Sequence, residues 1–186
     1  MLQRYRFPDS FPDFCRMAQI YISAGSNLGN RIGFLKSGID AIAQNVGRVL
    51  KVSSVVETEA MGFSGHPFLN ICFCVNTQLP PEEVMQLLLH IEEANGRKRS
   101  NVEGYKNRTL DLDLLFYDDI ILQTPMLRLP HPELENRRFV VQPLAEIAPK
   151  KKHPVLGKSV SVLLKNCTDC SVLTIYEQQL HYKNRN

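Results

Sequence analysis

The sequence predicts an α+β fold, a ferredoxin-like βαββαβ sandwich with helices packed on one face of a mainly antiparallel sheet. Three observations lead there. Strand-like and helix-like hydrophobic runs follow one another in the order β-α-β-β-α-β. The chain has 186 residues, which suits one ordinary domain and leaves little room for a second. Hydrophobic residues make up 44% and charged residues 22%, close to soluble globular averages, so a core can form.

The first strand is Ile20–Ala24, closed by Gly25-Ser-Asn-Leu-Gly29. Ile32, Leu35, Ile39, Ile42 and Val46 then recur at spacings of three and four, the stripe of an amphipathic helix, with Gly47 as its stop. Residues 49–57 are rich in β-branched side chains and predict one second strand. Residues 58–67 carry two glycines and a proline and read as a loop, followed by a third strand over 68–79. Pro80-Pro81-Glu82-Glu83 opens a second helix, as proline and acids favour helix N-termini. Val84, Leu87, Leu88 and Ile91 form its apolar stripe, and Gly96 ends it. A basic loop from Arg97 to Arg108 leads to a fourth strand over 109–117, a turn at Asp118-Asp119 and a short run over 120–122. Pro130-His131-Pro132 is a rigid entry to a helix reaching about Ile147. The tail beyond it is mixed in pattern.

No apolar run approaches the roughly 18 residues of a membrane span. Residues 1–16 mix charges, prolines and aromatics without a signal-like stretch, and Met17 stands just before the first strand. Residues 1–18 are therefore expected to be a poorly ordered extension, and 19–186 a single domain. Five cysteines, an odd number, fit a reducing compartment better than a disulfide framework, so a cytoplasmic location is expected. Cys72 and Cys74 share one strand face as small hydrophobes, and Cys167 with Cys170 lacks the second ligand pair of a zinc site. A net charge of +3 is too small to argue for nucleic acid, and the expected partners are small molecules, with no nucleic acid or membrane. A monomer is expected.

The sharpest chemical signal lies in the fourth strand. Alternate strand residues share a face, so Leu110, Leu112 and Leu114 point to the core while Asp111 and Asp113 point the other way. Their Cα atoms would be ~7 Å apart. That lets both carboxylates reach a pair of magnesium ions about 4 Å apart, the spacing of two-metal phosphoryl chemistry. An ordinary solvated strand face fits the Asp-x-Asp pattern about as well. The surroundings tip the balance: Arg97, Lys98, Arg99 and Arg108 offer donors suited to phosphate oxygens. No GxxxxGK[ST] loop occurs, which excludes a P-loop enzyme. His131, held between two prolines with Arg137 nearby, reads as a phosphate contact. Asn70, isolated among apolar neighbours, either satisfies a nearby loop or reads the polar edge of a heterocycle.

From about Ile20 to about Gly157 the chain resembles the pterin pyrophosphokinases of folate synthesis, the 6-hydroxymethyl-7,8-dihydropterin pyrophosphokinase family. The blocks that carry the resemblance occur in order. They are Gly25-Ser-Asn-Leu-Gly29, Thr58 with Gly62, Phe68-Leu-Asn70, Ile91-Glu92 with Gly96-Arg97, Arg108-Thr-Leu-Asp111-Leu-Asp113, Pro130-His-Pro132, Arg137 with Phe139, and Pro143-Leu-Ala-Glu-Ile-Ala-Pro149. The resemblance implies transfer of the terminal diphosphate of ATP to the pterin hydroxymethyl oxygen, releasing AMP, with ATP as co-substrate and two magnesium ions. It implies that Asp111 and Asp113 bind metal and, with Arg97 and Arg108, serve catalysis. Glu92, Arg97, Arg99, Arg108, Leu114, His131 and Arg137 would bind or orient the nucleotide. Thr58, Ala60, Met61, Phe68, Asn70, Asp111 and Phe139 would bind the pterin.

The chain departs from the family pattern at Lys106-Asn107, where small residues or proline are usual. Tyr105 stands in for a frequent tryptophan, and Ala60 for a frequent proline. Two rivals remain at this level. A metal-dependent nucleotidyltransferase would release pyrophosphate instead of AMP. A ferredoxin-like nucleic-acid-binding module would have no use for the acidic pair.

Overall fold

The computed structural model describes residues 17–60, 65–97 and 107–180. Met61, Gly62, Arg99, Tyr105 and residues 1–16 of the expected extension lie outside the described residues. Ala18, placed in that extension by sequence, already opens the first strand.

The βαββαβ order holds with its second strand split in two. β1 (Ala18–Ser26), α1 (Arg31–Asn45), β2 (Arg48–Val52), β3 (Val56–Thr58), β4 (Phe68–Thr77), α2 (Pro81–Ala94) and β5 (Asp111–Tyr117) form the central unit. In the sheet β1 lies between β5 and β4, and β2 and β3 both pair along the other edge of β4; every pairing is antiparallel. The strand expected over 49–57 is thus interrupted. Ser53 still pairs with Cys72 through its N–H, but Ser54 donates its N–H to the Glu146 carboxylate, and the chain swings out before re-entering as β3.

One face of the sheet carries α1 and α2, as the apolar stripes require. Leu35, Ile39, Ile42, Val84, Leu88 and Ile91 are buried there against Ile20, Ile22, Ile71, Phe73 and Leu112. The opposite face is also covered, over half its length. β6 (Leu122–Gln123) and β7 (Arg128–Leu129) form a small separate hairpin, and a 3-10 turn over Leu134–Asn136 leads into α3 (Arg138–Ile147) and α4 (Val160–Asn166). Val140, Val141, Leu144, Val160 and Leu163 are buried there with Tyr21, Cys72, Cys74, Leu115 and Phe116. The one-face arrangement therefore gains a further layer, because the stripe of α3 needs a partner and the first face is already full. Cys72 and Cys74 sit in this layer as buried core residues, as their spacing suggested.

A shift in the β1–β5 register leaves Leu115 as an extra residue between the pairs Ile22–Leu114 and Tyr21–Phe116. This bulge resets the alternation, so Leu115 and Phe116 both meet the α3 layer while Asp111 and Asp113 keep the same face upstream. A last strand, β8 (Thr174–Ile175), pairs with β3 at the sheet edge. Among the described residues no helix is long and apolar enough to cross a membrane.

The two helix-ending glycines have different reasons. Gly96 follows α2 at φ +83, the left-handed region, with open space around it. Gly47 has an ordinary φ, but a Cβ there would strike the Asn76 carbonyl oxygen and lie 3.1 Å from Thr77 Cα. The Gly96→Ala variant is expected to lose about 1 kcal/mol from backbone strain. Gly47→Ala should lose about 2 kcal/mol or more, because backbone must move. Urea unfolding of both variants checks the order; a Gly47→Ala loss smaller than that of Gly96→Ala contradicts it.

Candidate functional site

The uncovered half of the second sheet face forms the floor of a cavity of about 770 Å³. Strand register sets that floor in rows. Asp111 on β5 lies opposite Gly25 on β1, which lies opposite Asn70 on β4. The next row is Asp113 and Ser23, with Cys72 opposite Ser23 already sealed in the α3 layer, and Thr58 on β3 lies opposite Phe68. Gly25 is the gap in the middle. A Cβ there would come within 3.2 Å of Asn70 Oδ1 and 3.7 Å of the Phe68 ring. The acidic end and the amide end of the floor are therefore separated by a residue with no side chain.

The acidic end is held by cations from three parts of the chain. Arg97, just past the end of α2, contacts Asp111 Oδ1 and also Glu92, and Arg108 contacts Asp111 Oδ2. Glu92 is only 1% exposed, and its Oε1 accepts the Leu112 N–H at 2.8 Å. It lies beneath the floor and anchors Arg97 to β5. Arg108 is placed by Asn27, whose side chain accepts the Arg108 N–H at 2.7 Å and donates to Asn107 Oδ1 at 2.7 Å and to the His66 carbonyl at 3.1 Å. Asn107, the departure from the family pattern, is thus part of the tether.

Asp113 is less well compensated. His131 Nε2 is 3.9 Å and Arg137 3.8 Å from its carboxylate. Burial against the cavity wall, then repulsion from Asp111, raises the Asp113 pKa above the usual carboxylate range, partly offset by His131, Arg137 and Arg108. Burial, aided by Arg137, keeps His131 below its ordinary value, against the pull of Asp113. His131 Nδ1 accepts the Glu133 N–H at 3.2 Å, so the neutral ring carries its proton on Nε2, toward Asp113. The backbone N–H of His131 bonds the Leu115 carbonyl at 3.0 Å, tying this wall to the bulge in β5.

The roof comes from the turn before α3 and from the tail. Glu133, Asn136, Arg137, Phe139 and Asp169 line it. The helix expected to run on from Pro132 is broken at Arg137, whose extended backbone (φ -117, ψ 101) forms the N-cap of α3 and turns its side chain toward Asp113. At the amide end Asn70 Nδ2 donates to Thr58 Oγ1 at 3.0 Å, which leaves the amide oxygen beside Gly25. Asn70 is 3% exposed, so its orientation is set by that bond and the surrounding core. A second cavity of about 430 Å³ opens on the other side of Asp113 and His131, lined by Met85, Leu114, residues 124–128 and Pro132.

Most residues singled out in the sequence converge here. Thr58, Phe68, Asn70, Arg97, Arg108, Asp111, Asp113, His131, Arg137 and Phe139 all line the larger cavity. Leu114 lines the smaller one and Glu92 lies below the floor, while Ala60 lines neither cavity, although its neighbour Glu59 lines the larger. Ser23, Gly25, Glu59, Glu133, Asn136 and Asp169 were not foreseen as site residues. Gly25 had a signal in its place after a strand. Asp169 had none, being brought in by the tail.

The family model for 7,8-dihydro-6-hydroxymethylpterin-pyrophosphokinase (HPPK) matches residues 21–149. A 2-amino-4-hydroxy-6-hydroxymethyldihydropteridine pyrophosphokinase of Porphyromonas gingivalis is 40% identical over 136 residues, covering 72% of this chain and 92% of that protein. One from Synechocystis sp. is 37% identical over 167 residues, covering 89% and 83%. The crystal structure of Plasmodium falciparum HPPK-DHPS shares the fold with a TM-score of 0.65 at 14% identity, over 81% of this chain and 43% of that longer one. The chain therefore belongs to the 7,8-dihydro-6-hydroxymethylpterin-pyrophosphokinase family.

Proposed function

We propose that the larger cavity brings ATP and 6-hydroxymethyl-7,8-dihydropterin together and moves the terminal diphosphate of ATP to the pterin hydroxymethyl oxygen, releasing AMP. In this reading Asp111 and Asp113 hold two magnesium ions. The supporting observation is a single cavity with two chemically different ends. One end has carboxylates ringed by guanidinium groups, and the other a neutral amide, a hydroxyl and the Phe68 and Phe139 rings.

The donor set fits magnesium. Asp111 and Asp113 share a strand face, and among the described residues no group of three or more His, Cys, Asp or Glu side chains converges on a cation site. Magnesium takes one or two carboxylates and draws its other ligands from phosphate oxygens and water. When bound it neutralises phosphate charge and helps align the reacting groups.

The chain's own residues supply the rest. Arg97 and Arg108, which contact Asp111, can turn their forked donors to phosphate oxygens. His131, which lines both cavities, and Arg137, which lines the larger, stand beside Asp113, where the triphosphate would pass. The smaller cavity, walled by Met85, Leu114 and Leu127, takes the base. Asn70 reads the polar edge of the pterin while Phe68 and Phe139 pack on its faces. Adjacent strands are about 4.8 Å apart, so Asp111 and Asn70 are separated by about 10 Å across Gly25. The hydroxymethyl group would extend over that gap toward Asp111, which can accept a hydrogen bond from the attacking hydroxyl. Alignment and charge neutralisation carry the reaction, with no covalent intermediate on the protein.

Three outcomes test this. An assay with ATP, magnesium and hydroxymethyl-dihydropterin should yield AMP only when pterin is present, and Asp111→Asn should slow it at least about 100-fold. Pyrophosphate as product, or near-normal turnover in the variant, sinks the assignment. Magnesium alone must compete with two guanidinium groups for Asp111, so calorimetry should show binding at least about ten-fold tighter with a non-hydrolysable ATP analogue present. Equal affinity in both titrations rejects the competition.

The third outcome concerns stability. The raised Asp113 pKa means that the folded state keeps this proton to higher pH than the unfolded chain does. Ionisation therefore costs stability as pH rises from the ordinary carboxylate value through the folded one. Asp113→Asn should raise the Tm of the ligand-free protein by about 2–4 °C at pH 7 while abolishing turnover, and the gain should vanish near about pH 3. An unchanged or lower Tm at pH 7 refutes the electrostatic account.

A further inference from the structure

The segment after α4, residues 167–180, lies beyond the matched family span and touches both walls of the cavity. At one wall Asp169 Oδ2 accepts the Arg138 N–H at 2.8 Å, while Oδ1 accepts from the Ser171 N–H at 2.9 Å and from its hydroxyl at 2.5 Å. Arg138 is the first residue of α3, and Arg137, the N-cap position, makes no side-chain capping bond. Asp169 therefore caps the helix from a distant part of the chain, between the two roof residues Arg137 and Phe139. Both of its oxygens are already engaged, which favours a supporting role over direct substrate contact.

At the other wall β8 pairs with β3, with Ile175 opposite Val56 and Thr174 opposite Glu57. Tyr176 donates its N–H to the Val55 carbonyl at 3.0 Å and places its ring 5.6 Å from the Arg31 guanidinium. Arg31 in turn bonds Glu57 at 2.6 Å and the Pro67 carbonyl at 2.7 Å, the residues next to Thr58 and Phe68. Gln179 closes the arrangement by accepting the Val55 N–H at 2.7 Å.

We infer that residues 167–180 form a brace that sets the spacing of the two pterin-binding walls, with Asp169 and Tyr176 as positioning residues. The inference rests on the pterin reading of the cavity. Burial opposes ionisation of Asp169, but the Ser171 and Arg138 hydrogen bonds outweigh it and hold the carboxyl below its ordinary value, consistent with a well-made cap.

The test uses the full chain with Asp169→Ala, Asp169→Asn, Tyr176→Ala and Tyr176→Phe. The alanine variants should raise KM for the pterin by about ten-fold, with kcat changed less, because wall spacing governs fit. Asparagine keeps a capping oxygen and phenylalanine keeps a ring over Arg31, so these variants should recover most of the loss. Hydrogen exchange gives a readout independent of substrate: Asp169→Ala should speed exchange over 138–141, and Tyr176→Ala over 55–58, leaving 111–117 unchanged. Unchanged KM with kcat falling only as the folded fraction falls, or exchange spread evenly over the chain, overturns the brace. If the wild type makes no AMP from pterin, the functional reading fails, and the exchange pattern still decides the brace.

Discussion

Two carboxylates on one strand face, part-way into a walled cavity, repel each other and resist desolvation unless cations are brought to them. Much of the architecture around Asp111 and Asp113 meets that requirement. Arg97 has to arrive from the end of α2, and Glu92 in the last turn holds it there while fastening itself to the Leu112 N–H. Arg108 has to stand at the entry to β5, and the buried Asn27 side chain fixes the backbone that carries it. The break before α3 turns Arg137 back toward Asp113. Compensation is uneven: Asp111 has two guanidinium groups in contact, whereas Asp113 has cationic groups only at 3.8 and 3.9 Å, and these only partly offset the burial and the Asp111 repulsion that raise its pKa.

The sheet makes room for this by treating its two faces differently. The face toward α1 and α2 is apolar along its length, with Ile22, Ala24, Ile71, Phe73 and Leu112 all buried. The other face divides along each strand. Tyr21, Cys72 and Leu115 are sealed under α3 and α4, while two residues away Ser23, Asn70 and Asp113 open into the cavity. A helix layer shorter than the sheet therefore yields a core and a site on the same surface. The Leu115 bulge lets β5 serve both, because it supplies an extra apolar residue where the carboxylate row ends.

What the sequence revealed was local. Alternation in β5 separated the aspartates from the leucines, and Asn70 stood out because an amide in an apolar strand needs a partner, which Thr58 supplies. The break between β2 and β3 left no mark, since Ser53-Ser54 contains neither glycine nor proline and the bond that diverts it comes from Glu146, 92 residues away. Gly47 was correctly placed at the end of α1, but for a different reason: the crowding by Asn76 depends on how α1 returns to the sheet. Asp169 was invisible for the same kind of cause. Its partner Arg138 is 31 residues distant, and Cys-Thr-Asp-Cys drew the eye to its cysteines. Pairings along one element are written in its periodicity; those across the fold are not.

This division bears on how the proposed chemistry could be triggered. Without ligand, Asp111 is neutralised by Arg97 and Arg108, so a lone cation gains little by approaching it. In the proposed reading, ATP with two magnesium ions would bring nearly balanced opposite charges, so the cavity would not have to change its net charge to accept them. It need only exchange partners, guanidinium groups turning to phosphates and carboxylates to metal. Such an exchange is favourable only when both components arrive together, because either alone leaves one sign of charge uncompensated in a desolvated place. Two groups at opposite ends of α2 and β5 would thus make ATP and magnesium binding mutually dependent, with Glu92 keeping Arg97 in reach throughout.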